Sequence, residues 1–215
     1  MAHFPSGEPF PVGKNNQDAY GFTETDRFAL AVVADGCGSG EHSEFGAALA
    51  VQRLIECTNL GFADVGLFNR ELNQVLKQAY GLFEPGGKTV NDYFLFTILG
   101  ILYNKLDSSV EVFGCGDGVY AVAGRAVVIK SEGNAPNYMG YNLLSPGKCC
   151  LTVHERGWWE SEILPAIVGT DGLADYPNWE TEYQGWVEKN ANLTRVFRKS
   201  HGVLRDDTTA VGIGF

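Results

Sequence analysis

The chain has 215 residues, 45% of them hydrophobic, which predicts one domain over residues 1–215 with a sizeable core. Its net charge of −10 argues against nucleic acid or an anionic membrane surface as a partner, because both attract clustered Lys and Arg. Five irregularly spaced cysteines, with no signal-peptide pattern and no bilayer-length apolar run, predict a reduced, cytoplasmic protein.

The first clear element is a buried strand that ends in a carboxylate. The polar stretch Asn15–Asp18 precedes an aromatic strand start and marks a turn or the edge of a site. The apolar run Phe28–Ala34 then leads into Asp35 and Gly36, a pattern typical of a strand buried on both faces. A carboxylate at the end of such a strand suits a metal ligand, because a rigid scaffold presents it to solvent.

Two amphipathic helices are predicted after this strand. Ser43 is expected to cap a helix that runs to about Cys57. A second helix is predicted over Leu67–Phe83, and the sequence Glu84-Pro85-Gly86-Gly87 ends it. Apolar residues recur at helical spacing in both segments, so we expect both helices to pack on a sheet.

The rest of the chain is rich in strands. Four segments dense in Val, Ile, Leu and Tyr are predicted as strands: Phe94–Tyr103, Val110–Cys115, Val119–Ala123 and Ala126–Lys130. After a long loop, Ser131–Lys148, further strands are predicted at Cys149–His154, at Ile163–Gly169 and at the end of the chain. Aromatic residues at helical spacing predict one or two helices within Asn178–Ser200. Short connections favour antiparallel pairing, and the whole pattern predicts a layered α+β sandwich.

Acidic residues stand at four junctions near these strands, namely Asp18, Asp35, Asp171 and Asp206. Mg²⁺ and Mn²⁺ prefer carboxylate, carbonyl and water ligands, and a glycine after a ligand lets a cation approach the backbone closely. A single Asp-Gly pair usually forms only a turn. Spacing alone therefore leaves open whether the four carboxylates meet.

Five motifs in order resemble the metal-dependent serine/threonine protein phosphatases of the type 2C family, in their compact bacterial form. The motifs are NNQDAY, VVADGCGSG, FGCGDGVYAV, VGTDGLAD and RDDTTAVGI, and together they span nearly the whole chain. The resemblance implies an α-β-β-α sandwich of four layers. In such a fold two antiparallel sheets lie face to face, helices cover them, and a two-metal cleft lies at one end.

The resemblance also implies a set of metal ligands. Asp35 would bridge two Mn²⁺ or Mg²⁺ ions, and Gly36 would contribute its carbonyl oxygen. Asp171 and Asp206 would complete the coordination of one ion, and Asp18 would hold metal-bound water or the second ion. The implied reaction is attack on phosphorus by a hydroxide that bridges the two ions.

Two further aspartates match positions of the family that are less directly tied to metal binding. Asp92 stands at the spacing of the family's third-metal aspartate, so a third ion is a weaker expectation. Asp117 matches the aspartate of the family's Gly-Asp-Ser-Arg turn. That aspartate usually has a structural role and does not bind metal.

The chain departs from the family pattern at several positions. Gln17 replaces a Glu that many members have, and Gly13 replaces a phosphate-binding Arg. Lys14, next to it, can bind phosphate only as a point charge. Cys37 stands where some members place a His that acts as a general acid. His42 could replace that His, although a surface His beside the following helix is the plainer interpretation.

The resemblance implies a phosphatase of phosphoserine or phosphothreonine in proteins. We expect it to act as a monomer and to oppose a kinase. The departures leave two alternatives open. One is a phosphatase-like regulatory or binding module with little catalysis. The other is a phosphatase of small phosphate esters, because the flap segment that helps choose protein substrates looks short here.

Overall fold

The structure is a computed structural model that describes residues 2–4, 17–158, 165–189, 191–198 and 208–214. Within these residues two five-stranded antiparallel sheets pack face to face, and helices cover the outer side of each sheet. The predicted α+β sandwich of four α-β-β-α layers is therefore confirmed. No described helix is both long and apolar enough to cross a bilayer.

The strands form two sheets with the orders β2-β3-β4-β5-β8 and β1-β10-β9-β6-β7. Their bounds are β1 (Ala2–Phe4), β2 (Ala19–Glu24), β3 (Phe28–Gly36), β4 (Phe96–Asn104), β5 (Ser109–Cys115), β6 (Gly118–Val122), β7 (Arg125–Ile129), β8 (Thr152–Trp158), β9 (Ala166–Gly169) and β10 (Thr208–Ile213). The helices are α1 (Glu44–Asn59), α2 (Val65–Tyr80), α3 (Gly87–Tyr93), α4 (Trp179–Glu188) and α5 (Leu193–Arg198). Short 3-10 helices occupy Glu132–Asn134, Met139–Leu143 and Asp171–Asp175.

Strand β3 is buried on both faces, as its apolar run predicts. Successive side chains of a strand point to opposite faces, so the run divides between two layers. Leu30 and Val32 pack under helices α1 and α2, whereas Ala31 and Val33 pack in the layer between the sheets. A run that serves two apolar layers cannot alternate with polar residues, which explains its composition.

The helical boundaries differ from prediction where side chains bond to the backbone. Ser43 precedes α1 but does not cap it, because its hydroxyl donates to the carbonyl of Cys37 at 3.0 Å. Asp64 accepts the backbone N–H of Leu67 at 3.0 Å, so α2 begins two residues earlier than predicted. Helix α3 was not predicted, because the Pro-Gly-Gly sequence that ends the preceding segment also opens this short helix.

The later boundaries are also partly corrected. Strand β8 begins at Thr152, so the prediction that Cys149 starts a strand is wrong. The Asn142 side chain bonds both the N–H and the carbonyl of Cys149, at 2.8 and 2.7 Å, and thereby takes the place of a strand partner. The predicted helical region forms α4 and α5, whose aromatic residues Trp179 and Tyr183 are buried in the core as expected.

A polar contact joins the two sheets at the edge formed by β7 and β8. The Tyr120 hydroxyl on β6 donates to Oε2 of Glu155 on β8 at 3.0 Å, and Arg125 lies 3.2 Å from the same oxygen. Burial, followed by the hydrogen bond to Glu155, raises the pKa of Tyr120 to about 12. These contacts give the largely buried Glu155 carboxylate its hydrogen-bond partners. Burying it without partners would cost free energy.

We expect Tyr120→Phe to lower the free energy of unfolding at pH 8 by about 1–3 kcal/mol, because a hydrogen bond to a charged group is lost. The folded-state pKa of Tyr120 lies above its ordinary value of 10.0, so its contribution is complete below pH 10 and lost as the pH rises toward 12. The difference in free energy of unfolding between the wild-type protein and the variant should therefore be smaller at pH 11. Urea unfolding at both pH values measures it, with half-exposed Tyr20→Phe as the control. A deficit that does not change with pH would contradict the raised pKa.

Candidate active site

The register of β2 and β3 brings two of the predicted metal ligands opposite each other. Ala19 pairs with Ala34, and the N–H of Gly36 donates to the carbonyl of Gln17 at 3.2 Å, which continues the same register beyond the strand. Asp18 therefore lies across from Asp35. Cross-strand neighbours on one face have Cβ atoms roughly 4.5–5.5 Å apart.

The facing pair lies at one end of the space between the sheets. Ala31 and Val33 point into that space, so the alternation of β3 places Asp35 on the same face. Thr97 of β4 stands opposite Asp35 on its other side and is buried. The layer between the sheets thus changes from aliphatic to polar at this end.

Residues of the other sheet complete this end. The Thr170 hydroxyl donates to Oδ2 of Asp18 at 3.3 Å and accepts the N–H of Thr209 at 3.0 Å. Asp171 follows Thr170 directly and begins a 3-10 helix. The Oδ1 atoms of Asp18 and Asp171 are both shielded from solvent. Three of the four predicted aspartates therefore stand at, or next to, one polar end of the sandwich.

Gly36 is required by close packing at this position. A Cβ atom there would lie 2.6 Å from the carbonyl oxygen of Gln17 and 2.7 Å from the hydroxyl oxygen of Ser43. The Gln17 side chain is buried and donates to the carbonyl of Gly40 at 2.8 Å, so it holds the turn after β3. Both residues thus have a structural reason for their identity, besides any part in binding metal.

Sequence reasoning missed Tyr138, which lies in the segment predicted as a loop. Its side chain is partly buried and packs, like that of Cys37, against the core on the helix side of the β2-β3-β4-β5-β8 sheet. Burial first, and then Cys37, Asp117 and Asp35, raise the pKa of Tyr138. Nothing in the local pattern marks this tyrosine, since the core against which it packs is built from residues distant in sequence.

Cys37 borders the same end of the sandwich. Its sulfur lies 3.1 Å from the Ser39 hydroxyl, and it is half-buried. Burial acts to raise the pKa of the thiol, but hydrogen bonds from Ser39, Tyr138 and the backbone of Gly40 outweigh burial and lower the pKa.

Asp117 lies in the tight turn between β5 and β6. Gly116 and Gly118 flank it with φ of +99° and +146°, and a Cβ atom on Gly116 would meet Thr97 Cγ2 at 2.5 Å. Burial raises the pKa of Asp117, although a hydrogen bond from Ser131 acts in the opposite direction. These contacts are consistent with a structural role for Asp117 in this turn.

The donors present fit a hard divalent cation. Asp18 and Asp35 offer facing carboxylates, and oxygen ligands of this kind suit Mg²⁺ and Mn²⁺. Within the described residues, no three His, Cys, Asp or Glu side chains lie close enough to hold a metal by themselves. The predicted ligand Asp206 lies outside the described residues, as does Lys14.

A family model described as Protein phosphatase 2C matches residues 11–210. The chain belongs to the protein phosphatase 2C family. No curated protein sequence matches it, whereas several solved structures share its fold.

Three of these structures illustrate how far the likeness extends. RsbX in complex with magnesium is 17% identical, with a TM-score of 0.65 over 99% of this chain and 91% of that chain. The phosphatase domain of SpoIIE from Bacillus subtilis is 17% identical, with a TM-score of 0.60 over 98% of this chain and 60% of that one. The Mycobacterium tuberculosis serine/threonine phosphatase PstP is 13% identical, with a TM-score of 0.60 over 98% and 94%. At these identities the likeness shows the fold.

Two residues considered from the protein phosphatase 2C pattern make other contacts. Asp92 lies on α3, where its carboxylate forms an ion pair with Lys88. His42 lies 3.6 Å from a carboxylate oxygen of Glu44, and its ring centroid is 5.2 Å from that of Tyr93. A third-metal role for Asp92 stays a prediction, and His42 fits the interpretation as a surface residue beside α1.

We expect Thr170→Val to weaken Mn²⁺ binding by about 10–100-fold, because partners that orient a metal ligand typically contribute this much to affinity. The change keeps the side-chain shape but removes the hydroxyl that bonds Asp18. Thr58→Val is a matched control, since the buried Thr58 hydroxyl bonds the Leu54 carbonyl within α1. Calorimetric titration of both variants measures the effect. Equal affinities would contradict an orienting role for Thr170.

Proposed function

We propose that the chain is a metal-dependent phosphatase that hydrolyses phosphoserine or phosphothreonine in proteins. The observation that carries the proposal is the facing of Asp18 and Asp35 at the polar end of the sandwich. Membership of the protein phosphatase 2C family supports it. The fold neighbour PstP, a serine/threonine phosphatase, supports the substrate class, and RsbX in complex with magnesium supports the kind of ion.

The proposed ligands of two Mn²⁺ or Mg²⁺ ions are Asp18, Asp35 with the carbonyl of Gly36, Asp171 and Asp206. Ions bound there would lower the pKa of water and neutralise phosphate oxygens. The buried strand β3 holds Asp35 rigidly, because its side chains pack on both faces. The Thr170 hydroxyl fixes the Asp18 carboxylate through its hydrogen bond to Oδ2.

A specific observation also favours a second candidate, a phosphatase-like binding module with little catalysis. Gln17, where many family members have Glu, donates to the carbonyl of Gly40 and is thereby committed to holding the turn after β3. A module of this kind would keep the fold but hydrolyse phosphate esters slowly. Activity and metal affinity together distinguish the two candidates.

We expect the purified protein to hydrolyse p-nitrophenyl phosphate in millimolar Mn²⁺. Asp35→Asn should reduce kcat by at least about 10²–10³-fold, because charge stabilisation of the transition state is lost. Asp64→Asn is the matched control, since Asn caps a helix as well as Asp does and Asp64 caps α2. Wild-type activity no higher than that of Asp35→Asn would exclude the phosphatase proposal.

Calorimetric titration with Mn²⁺ distinguishes a binding module from a protein that binds no metal. We expect the wild-type protein to bind Mn²⁺ and the Asp35→Asn variant to lose most of that affinity, while Asp64→Asn keeps it. Metal binding without hydrolysis would favour the module. Absence of both would contradict the proposed metal site itself. Phosphoserine and phosphothreonine peptides, assayed beside small esters, test the substrate class.

A further inference from the structure

A cavity of about 340 Å³ lies between helix α2 and the segment that follows it in space, residues 139–147. Its walls are mostly apolar and include Leu76, Tyr80, Met139, Leu143 and Pro146. Small-molecule sites are typically about 300–1,000 Å³ in volume and are lined by apolar side chains with a few polar groups. The size and the lining therefore suit a small organic ligand.

The cavity is separate from the candidate active site. Leu76 and Met139 belong to the core on the helix side of the β2-β3-β4-β5-β8 sheet. Asp35 lies on the other face of that sheet, toward the layer between the sheets, because it alternates in phase with Ala31 and Val33. A ligand in the cavity would thus occupy the opposite side of the sheet from the proposed metal ligands.

Hydrogen bonds hold the two walls of the cavity together. The Asn142 amide donates to Oδ1 of Asn73 on α2 at 2.8 Å and to the carbonyl of Cys149 at 2.7 Å. Gly140 packs so closely that a Cβ atom there would lie 2.1 Å from the carbonyl oxygen of Phe94. The cavity is therefore formed before any ligand arrives, which reduces the entropic cost of binding. Both amide hydrogens of Asn142 are used, so this side chain has no donor left for a ligand.

Lys77 supplies the charge at this cavity. It is an exposed residue in the last turn of α2 and lines the cavity. Within the part of the chain that the structure describes, Lys77 forms no ion pair, whereas Lys105 is paired with Glu24 at 2.6 Å and Lys148 lies over the Tyr141 ring at 4.5 Å. An ammonium group beside an apolar cavity complements a ligand that joins an anionic group to an apolar body.

We propose that this cavity binds a small amphipathic carboxylate. The apolar body lies among Leu76, Met139 and Leu143, and the carboxylate lies at the Lys77 ammonium. The proposal is independent of the phosphatase function, because none of these residues belongs to the proposed metal site. An uncharged ligand of the same shape would lose the attraction to Lys77, and a cationic one would be repelled.

The test is calorimetric titration of the protein with octanoate, octanol and octylammonium. A chelator in the buffer removes metal ions, so that the carboxylate cannot bind through them. Octanoate should bind about two- to fivefold more tightly than octanol, because an exposed ion pair contributes about this much, and octylammonium should bind more weakly than either. Hexanoate should bind about tenfold more weakly than octanoate, because two fewer CH₂ groups are buried.

Two pairs of variants locate the site. Lys77→Gln should reduce the affinity for octanoate to that for octanol, whereas Lys189→Gln, at an exposed lysine after α4, should leave it unchanged. Leu143→Trp fills the cavity and should abolish binding of both octanoate and octanol. Leu144→Trp changes the next residue, which is 50% exposed and does not line the cavity, and should bind both ligands normally. Thermal unfolding confirms that each variant is folded.

Several results would overturn the inference. One is the absence of saturable octanoate binding to the wild-type protein. Another is an equal affinity for octanoate and octylammonium, or an affinity for octanoate that Lys77→Gln does not change. Sedimentation velocity examines a second copy of the chain as the occupant. A dimer that Leu143→Glu dissociates and Leu144→Glu does not would assign the cavity to that contact and would also overturn the inference.

Discussion

The hydrogen bond from the N–H of Gly36 to the carbonyl of Gln17 sets the geometry on which the candidate site depends. It extends the pairing of β2 and β3 by two residues and so places Asp18 across from Asp35. Side chains of a strand alternate between faces, so a slip of one residue would turn Asp18 toward the helices. The tight packing of Gly36 against Gln17 and Ser43 leaves room for no other residue, and this packing holds the register at the end of the strands.

The two sheets are joined by polar contacts at their margins and by aliphatic packing in between. At the site end the Thr170 hydroxyl connects Asp18 of one sheet to the backbone of Thr209 in the other. At the β7–β8 edge Tyr120 reaches across to Glu155. Polar groups are costly inside an apolar layer unless they are bonded. Placing them at the margins keeps the centre apolar and provides hydrogen-bonded positions for carboxylates at one end.

The segment between β7 and β8 shows how a long loop is fixed against the core. Its sequence has no strand or helix periodicity, yet Asn142 clamps Cys149 and Asn137 accepts the Cys115 thiol. These bonds connect the loop to residues that come from other strands and turns. Tyr138 consequently packs against the same core as Cys37, although a hundred residues separate them in the sequence. The same dependence on remote partners explains why Ser43 bonds the Cys37 carbonyl instead of capping α1.

The sequence by itself determined the buried strand Phe28–Ala34, the carboxylate that follows it, the amphipathic stretches that became α1 and α2, and the class of the fold. These features arise from periodicity and from turn residues, which act over a few positions of the chain. The tertiary structure decided that Asp18 faces Asp35 and that Thr170 bonds Asp18. Such contacts depend on strand register and on the packing of one sheet against another, and neither is written in any short stretch of residues.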